Sequence, residues 1–132
     1  AIPGLEFTKK LISKSDKQSL AVTAVSLAES LEAKGIVVIT RRGFMADFVT
    51  NCHPQHTRIF AFTNDSQTRR RLILNRNVSA FRSAFSKDPE KTLQTAFDLL
   101  KKKAGLVDGD KVVVISDVLA GTGIEAIQIR QV

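Results

Sequence analysis

Residues 33–43 read Ala33-Lys34-Gly35-Ile36-Val37-Val38-Ile39-Thr40-Arg41-Arg42-Gly43. The run Ile36 to Ile39 is β-branched throughout and shows no polar alternation. Such a run reads as a strand buried on both faces, the pattern of a parallel sheet covered by helices. Thr40 to Gly43 then reads as a turn. Phe44 to Thr50 is a short helix that must end before Pro54.

Upstream, Asp16 can cap a helix over Lys17 to Lys34. Leu20, Val22, Ala24, Val25, Leu27, Ala28 and Leu31 form its broad apolar face, and Gly35 stops it. Downstream, Arg58 to Phe62 is a second strand. Thr63 to Ser66 is a capping loop, and Gln67 to Arg76 a basic helix. Val78 to Arg82 is a third, short strand. Asp88-Pro89-Glu90 combines a cap, a first-turn proline and an acid, and opens a helix to about Lys103. Lys101, Lys102 and Lys103 suit the negative end of its dipole, and Gly105 ends it. Lys111 to Ser116 is a fourth strand. Asp117 to Gly123 is a glycine-containing loop. Ala126 to Val132 alternates Ile127 and Ile129 with Gln128 and Arg130, as a half-exposed edge strand does. The bend before it is too short for a helical crossover, so this strand is expected antiparallel to its predecessor.

These elements predict an α/β fold: three α/β/α layers around a five-stranded, mainly parallel sheet with an antiparallel last edge strand. Residues 1–15 are less patterned and read as an arm or linker; residues 16–132 form the domain. The 132 residues suffice for one domain, and 43% of them are apolar, which supplies one core. Trp and Tyr are absent, so aromatic packing falls to eight Phe. No apolar run reaches the roughly 20 residues that cross a bilayer, so a membrane partner is not expected. Cys52 is the single cysteine, which rules out an internal disulfide and suits a reducing, cytoplasmic setting. The chain opens on Ala1, which points to a piece of a longer protein or to loss of an initiator Met.

A net charge of +7 favours anionic partners. In open α/β sheets ligands bind at the carboxyl ends of the strands. Three loops fall there: Thr40 to Met45, Thr63 to Thr68, and Asp117 to Gly123. The first combines a hydroxyl, two guanidinium groups, a flexible glycine and a helix start, all suited to phosphate. The competing reading is a solvated turn with two surface arginines. Gly121-Thr122-Gly123 could admit a ligand close to the backbone but carries no dinucleotide fingerprint. Arg69, Arg70 and Arg71 point about 100° apart on a helix, so one can face the sheet end. No aromatics interleave with them, and nucleic acid is not expected as a partner. Cys52, His53 and His56, even joined by Asp47, make an ordinary loop more readily than a zinc site, so no metal is expected. No acid pair or nucleophile elbow stands out, and no catalytic residue is assigned.

Several motifs together resemble one family. Residues 28–40, with Ala33-Lys34-Gly35-Ile36-Val37-Val38-Ile39-Thr40, resemble the stretch of pyruvate kinases that enters the first strand of their C-terminal domain. Gly43 falls where the family's Thr-x-Ser-Gly loop has its glycine. Ala61-Phe62-Thr63 with Gln67, Thr68 and Arg70 is similar to Ala-Val-Thr…Gln-Thr-x-Arg. Leu74, Arg76 and Val78 match Leu-x-Arg-Gly-Val. Gly109-Asp110-x-Val112-Val113 matches Gly-Asp-x-Val-Val, and Gly121-x-Gly123 the last glycine loop. The similarity covers about residues 17–132.

The resemblance implies the allosteric, effector-binding domain of a cytoplasmic glycolytic kinase. In the parent, a TIM barrel would hold phosphoenolpyruvate, Mg²⁺ and K⁺ and transfer phosphate to ADP. The implied partners are that catalytic domain, a phosphorylated effector of the sugar bisphosphate class such as fructose 1,6-bisphosphate, and further copies in a tetramer. The family's effector loop maps onto Thr40, Arg41, Arg42, Gly43, Phe44 and Met45, with Gly121, Thr122 and Gly123 opposite. Arg42 stands for a serine, Met45 for a second hydroxyl residue, and Leu119 where some members have an arginine. A different effector, or a purely structural domain without one, is therefore an alternative, as is a stand-alone binding protein of this fold. Asn77 stands for a family glycine and is expected in the left-handed conformation.

Overall fold

A computed structural model describes residues 14–116 and 126–132. The elements are α1 (Lys14–Ser30), β1 (Gly35–Ile39), α2 (Phe44–Asn51), β2 (Arg58–Thr63), α3 (Ser66–Ile73), β3 (Val78–Arg82), α4 (Pro89–Lys103), β4 (Lys111–Ser116) and β5 (Ala126–Gln131). The sheet order is β3-β2-β1-β4-β5. β1 lies parallel to β2 and to β4, and β2 parallel to β3. Only β5 runs antiparallel, against β4. Both the five strands and the reversed edge are those expected.

β1 is the centre because its sequence has no side to offer water: all five residues are buried. Its odd and even side chains enter two separate cores. Ile36 and Val38 meet Ala21, Ala24, Val25 and Ala28 of α1, Met45, Ala46 and Val49 of α2, and Leu72 of α3. Val37 and Ile39 meet Leu93, Ala96, Phe97 and Leu100 of α4. Three helices thus cover one face and one covers the other, completing the α/β/α layers. The small alanines of α1 let that helix sit close against the sheet. The phenylalanines concentrate on the α4 side, where the Phe62 and Phe81 rings stack at 5.0 Å and 18°.

Some boundaries differ from expectation. α1 begins at Lys14, so Asp16 sits in its first turn and is not its cap. The last two residues of the expected arm belong to this helix; residues 1–13 lie outside the described residues. α1 ends at Ser30, not Lys34. Glu32 turns left-handed at φ 52°, and the Ala33 amide closes back on the Ala28 carbonyl at 2.9 Å. Gly35 is therefore not the helix stop but the first residue of β1. A Cβ there would run into the Phe60 ring, so glycine is required by close approach. α3 starts at Ser66 under an Asp65 cap and stops at Ile73, before the expected Arg76. Val22 stands 54% exposed, off the buried stripe of α1. Asn77 is not left-handed: among the described residues the positive-φ non-glycine positions are Glu32 and His53. The Asn77 amide instead donates to the Asn75 side chain at 3.0 Å, a side-chain turn that needs no special backbone angle.

Side-chain ties join elements distant in sequence. The Glu29 carboxylate on α1 accepts from the Gln55 and His56 amides and the Thr57 hydroxyl. These bonds, the His56 amide first, hold its pKa below the ordinary 4.5. Arg130 on β5 donates two bonds to Glu90 in the first turn of α4, at 2.7 and 2.8 Å. Arg130 chiefly lowers the Glu90 pKa in the same way.

Two outcomes follow. Gly35→Ala destabilises the fold by about 1–3 kcal/mol, read from the denaturant midpoint, because the Phe60 ring must yield in a packed core. The depressed Glu29 pKa contributes stability that is complete above pH 4.5 and is lost as pH falls through its folded value. The gap in urea midpoint between wild type and Glu29→Gln should therefore narrow from pH 7 to about pH 3.5; a constant gap would refute the tie.

Candidate functional site

The sheet changes the direction of its crossovers between β1 and β4, which makes the carboxyl end of β1 the topological switch point. Thr40 leaves β1 there. Its amide still donates to the Phe62 carbonyl of β2, at 2.9 Å. Its buried hydroxyl accepts from the Gly43 amide at 3.0 Å and closes the turn. Gly43 has φ 86° and is the N-cap of α2, with no side chain capping the helix. The first amides of α2 are thus offered without a side-chain acceptor.

The turn is held from two sides. Thr63 Oγ1 at the end of β2 donates to the Arg41 carbonyl at 3.0 Å. Arg71 on α3 donates to the Arg42 carbonyl at 2.7 Å and, through its other amino group, to both Asp47 carboxylate oxygens at 3.1 and 3.2 Å. Of the triple-arginine run it is Arg71 that faces the sheet end. It neutralises the one acid of the first turn of α2 and fills the space beside Gly43 that a side chain would need. The Asp65 carboxylate is committed as well, accepting from the Thr68 hydroxyl at 2.7 Å and amide at 3.0 Å. Those bonds, the hydroxyl first, lower its pKa.

Backbone carbonyls are thus pinned inward while the Arg41 and Arg42 side chains are exposed. Neither guanidinium has a hydrogen bond or ion pair among the described residues. Phe44 is 54% exposed beside them. Met45 is buried in the core with α1 and β1, so its side chain cannot meet a ligand. Thr40 is buried too, and its oxygen already serves Gly43. The structure therefore gathers Thr40, Arg41, Arg42, Gly43 and Phe44 into one rigid turn and withdraws Met45. Gly121, Thr122, Gly123 and Leu119 lie outside the described residues.

A cleft of about 580 Å³ opens at the ends of β2 and β3, lined by Asn64, Arg82, Ser83, Ala84 and Phe85. The sequence reading passed over it because it considered no loop after β3. The signal available was an arginine closing a short strand with a serine directly after it. A second cleft of about 410 Å³ lies at the amino ends of the strands, lined by Glu29, Glu32, Ala33, Lys34, His56, Thr57 and Arg58. Neither lining includes the turn at 40–45. Arg58 is already engaged there, donating to the Ala104 carbonyl at 3.0 Å with its guanidinium 4.7 Å from the Phe60 ring centre.

The loop Cys52 to His56 is an ordinary tie. Cys52 Sγ donates to the Phe48 carbonyl at 3.3 Å, and burial raises the thiol pKa. Among the described residues no three His, Cys, Asp or Glu side chains gather as a metal site. No described helix is long and apolar enough to cross a membrane.

The family described as pyruvate kinase, alpha/beta domain, matches residues 18–129. The chain is 36% identical over 107 residues to the chloroplastic pyruvate kinase isozyme A of Nicotiana tabacum, covering 81% of this chain and 18% of that protein. It is 38% identical over 98 residues to the chloroplastic isozyme G of Ricinus communis, covering 74% of this chain and 23% of that protein. It thus spans about a fifth of the length of these relatives. In fold it is similar to a pyruvate kinase from Cryptosporidium parvum, with a TM-score of 0.75 at 23% identity over 87% of this chain and 22% of that one.

The pinned turn has a measurable signature. Gly43→Ala should cost about 1–3 kcal/mol, since it forces a side chain into positive φ and against Arg71. Adding Arg71→Ala should relieve the steric part and leave the strain, so the double variant loses less than the sum of the singles. Strict additivity in denaturant midpoints would show that the two residues do not share that space.

Proposed function

This chain belongs to the pyruvate kinase family as its alpha/beta domain, and from that premise we propose that it is the regulatory and subunit-assembly part of a pyruvate kinase. The parent would convert phosphoenolpyruvate and ADP to pyruvate and ATP in glycolysis. That chemistry, with Mg²⁺ and K⁺, would reside in a separate catalytic domain. No catalytic role is assigned to the described residues of this chain.

One observation carries the regulatory half. The turn at 40–43 is held through its carbonyls, and the Arg41 and Arg42 guanidinium groups have no partner among the described residues beside the first amides of α2. Forked cations next to a helix start suit a phosphate ester better than a neutral metabolite. Burial of Thr40 withdraws its hydroxyl and Met45 carries no donor, so recognition rests on charge and backbone amides. That supports a phosphorylated effector selected less by sugar hydroxyls than by its anionic groups. Such an effector would shift the parent by binding one conformation better than another.

The assembly half rests on apolar exposure. At the end of α3, Ile73 is 47% and Leu74 83% exposed, side by side. A neighbouring domain or subunit would cover them, in a homotetramer of the parent. A single cysteine suits a reducing compartment, the cytoplasm or, as in the relatives named chloroplastic, a plastid. The second reading, a structural domain without effector, is favoured by the withdrawal of Met45.

Calorimetric titration of the 132-residue chain with fructose 1,6-bisphosphate and other sugar bisphosphates separates the two. Saturable binding that weakens at least about tenfold in Arg41→Ala/Arg42→Ala, and weakens as salt rises, is expected. No binding leaves the structural reading, and binding unchanged in that variant puts the effector away from the turn.

A further inference from the structure

Residues 66–87 cover α3, the turn after it, β3 and the loop beyond. They contain Arg69, Arg70, Arg71, Arg76, Arg82 and Lys87, and no Asp or Glu. Arg71 is spent on Asp47 and the Arg42 carbonyl, and Arg70 reaches the Ser66 carbonyl of its own helix. Arg69, Arg76, Arg82 and Lys87 are exposed and have no ion pair among the described residues. The acids that bound this stretch, Asp65 and Asp88, are turned to the amides of the helices they cap. One rim of the domain is therefore basic with nothing of its own to neutralise it.

That rim is also a sheet edge. β3 ends the order β3-β2-β1-β4-β5 and has no strand on its outer side among the described residues. The Ser83 amide donates inward, to the Thr63 carbonyl at 2.9 Å. Peptide groups alternate sides along a strand, so Ser79 and Phe81 also face β2, while Ala80 and Arg82 present amide and carbonyl outward. The Val78 amide is already taken by the Asn75 carbonyl at 3.2 Å. The two faces of this edge differ. Phe81 stacks on Phe62 on the α4 side and is half-buried, as is Phe85 in the same core. Ala80 packs on the α3 side, and Arg82, two residues on, points to that side as well.

Charge selects the occupant. A short edge strand that ends on a cation is guarded against uncharged strands. A second copy of β3 laid along the edge would bring cations against cations, which disfavours self-pairing. An acidic strand meets no such repulsion. We propose that the outer edge of β3 takes an extended acidic segment of a partner protein as an added strand. Its main chain bonds to Ala80 and Arg82, its carboxylates lie on the α3 side over Arg82, and its apolar side chains lie on the α4 side over Phe81. The edge shares no residue with the turn at 40–43 and stands whether or not that turn binds an effector.

The probe is a labelled eight-residue peptide of alternating valine and glutamate with blocked termini, titrated into the 132-residue chain by fluorescence anisotropy. Saturable binding with a Kd below about 0.5 mM, weakening as salt rises, is expected. Amide hydrogen exchange should slow at least about tenfold at Ala80 and Arg82, with smaller changes at Ser79 and Phe81, which already face β2. Arg82→Glu should weaken the probe at least about tenfold and admit a valine–lysine probe that the wild type rejects. Arg82 is exposed, so this variant keeps the wild-type melting temperature. Arg41→Ala/Arg42→Ala should leave probe binding intact, which separates the edge from the turn. No saturable binding up to about 2 mM overturns the proposal. Equal binding of a peptide with its valines in one block and its glutamates in another reduces the edge to a charge contact and overturns it too. So does binding that leaves exchange at Ala80 and Arg82 unchanged or is insensitive to Arg82→Glu. Single-stranded DNA of equal charge that binds more tightly than the probe would make the rim a nucleic-acid surface instead.

Discussion

Everything in this domain depends on keeping water away from β1. A strand with Ile36, Val37, Val38 and Ile39 in sequence has two apolar faces and a backbone that must still be bonded. Both needs are met by parallel neighbours on each side, β2 and β4. Parallel neighbours demand crossovers, and the crossovers supply the helices that cover both faces. The ladder even overruns the strand: the Lys34 amide bonds to the Lys111 carbonyl and the Thr40 amide to Phe62. The central strand therefore reaches solvent only at its ends. At one end Gly35 yields its side chain to the Phe60 ring; at the other the chain must turn at once into α2.

That second end is where burial and charge meet. Thr40 is still in the dry interior, yet Arg41 and Arg42 follow it directly into water. The transition is managed by satisfying each carbonyl from a neighbouring element: Thr63 takes one and Arg71 the other. Arg71 is thus a structural cation, spent on a carbonyl and on Asp47, whereas Arg41 and Arg42 have no partner among the described residues. A basic net charge alone does not distinguish these two uses of arginine. The ion pairs here are exposed and contribute little to stability singly; what they contribute is the orientation of a turn.

The order and type of elements were legible because they follow from local signals. The uninterrupted apolar run, the Asp88-Pro89-Glu90 start of α4 and the alternation in β5 each stem from period, capping or backbone chemistry within a few residues. Helix ends were less legible, since an end is settled by contacts beyond the window. α1 ends at Ser30, with Glu32 turning left-handed and the Ala33 amide bonding back to the Ala28 carbonyl, not at the glycine that sequence favours. Asn77 illustrates the same limit: an asparagine can stand for a glycine by the left-handed route or by bonding through a neighbouring side chain. Here Asn75 supplies the second route.

Sequence by itself determined a two-faced central strand, hence a mainly parallel α/β sheet with its loops gathered at the strand ends, because burial pattern and chain continuity leave few other solutions. It also placed arginines at those ends. Only the tertiary structure decided which arginine is consumed by the backbone and which has no partner among the described residues, that Met45 turns into the core, and that an open cleft lies past β3. Those outcomes are set by partners tens of residues away, such as Arg71 with Arg42 and Thr63 with Arg41. A linear pattern holds residue types and spacing, while the availability of a charge is a property of what packs around it.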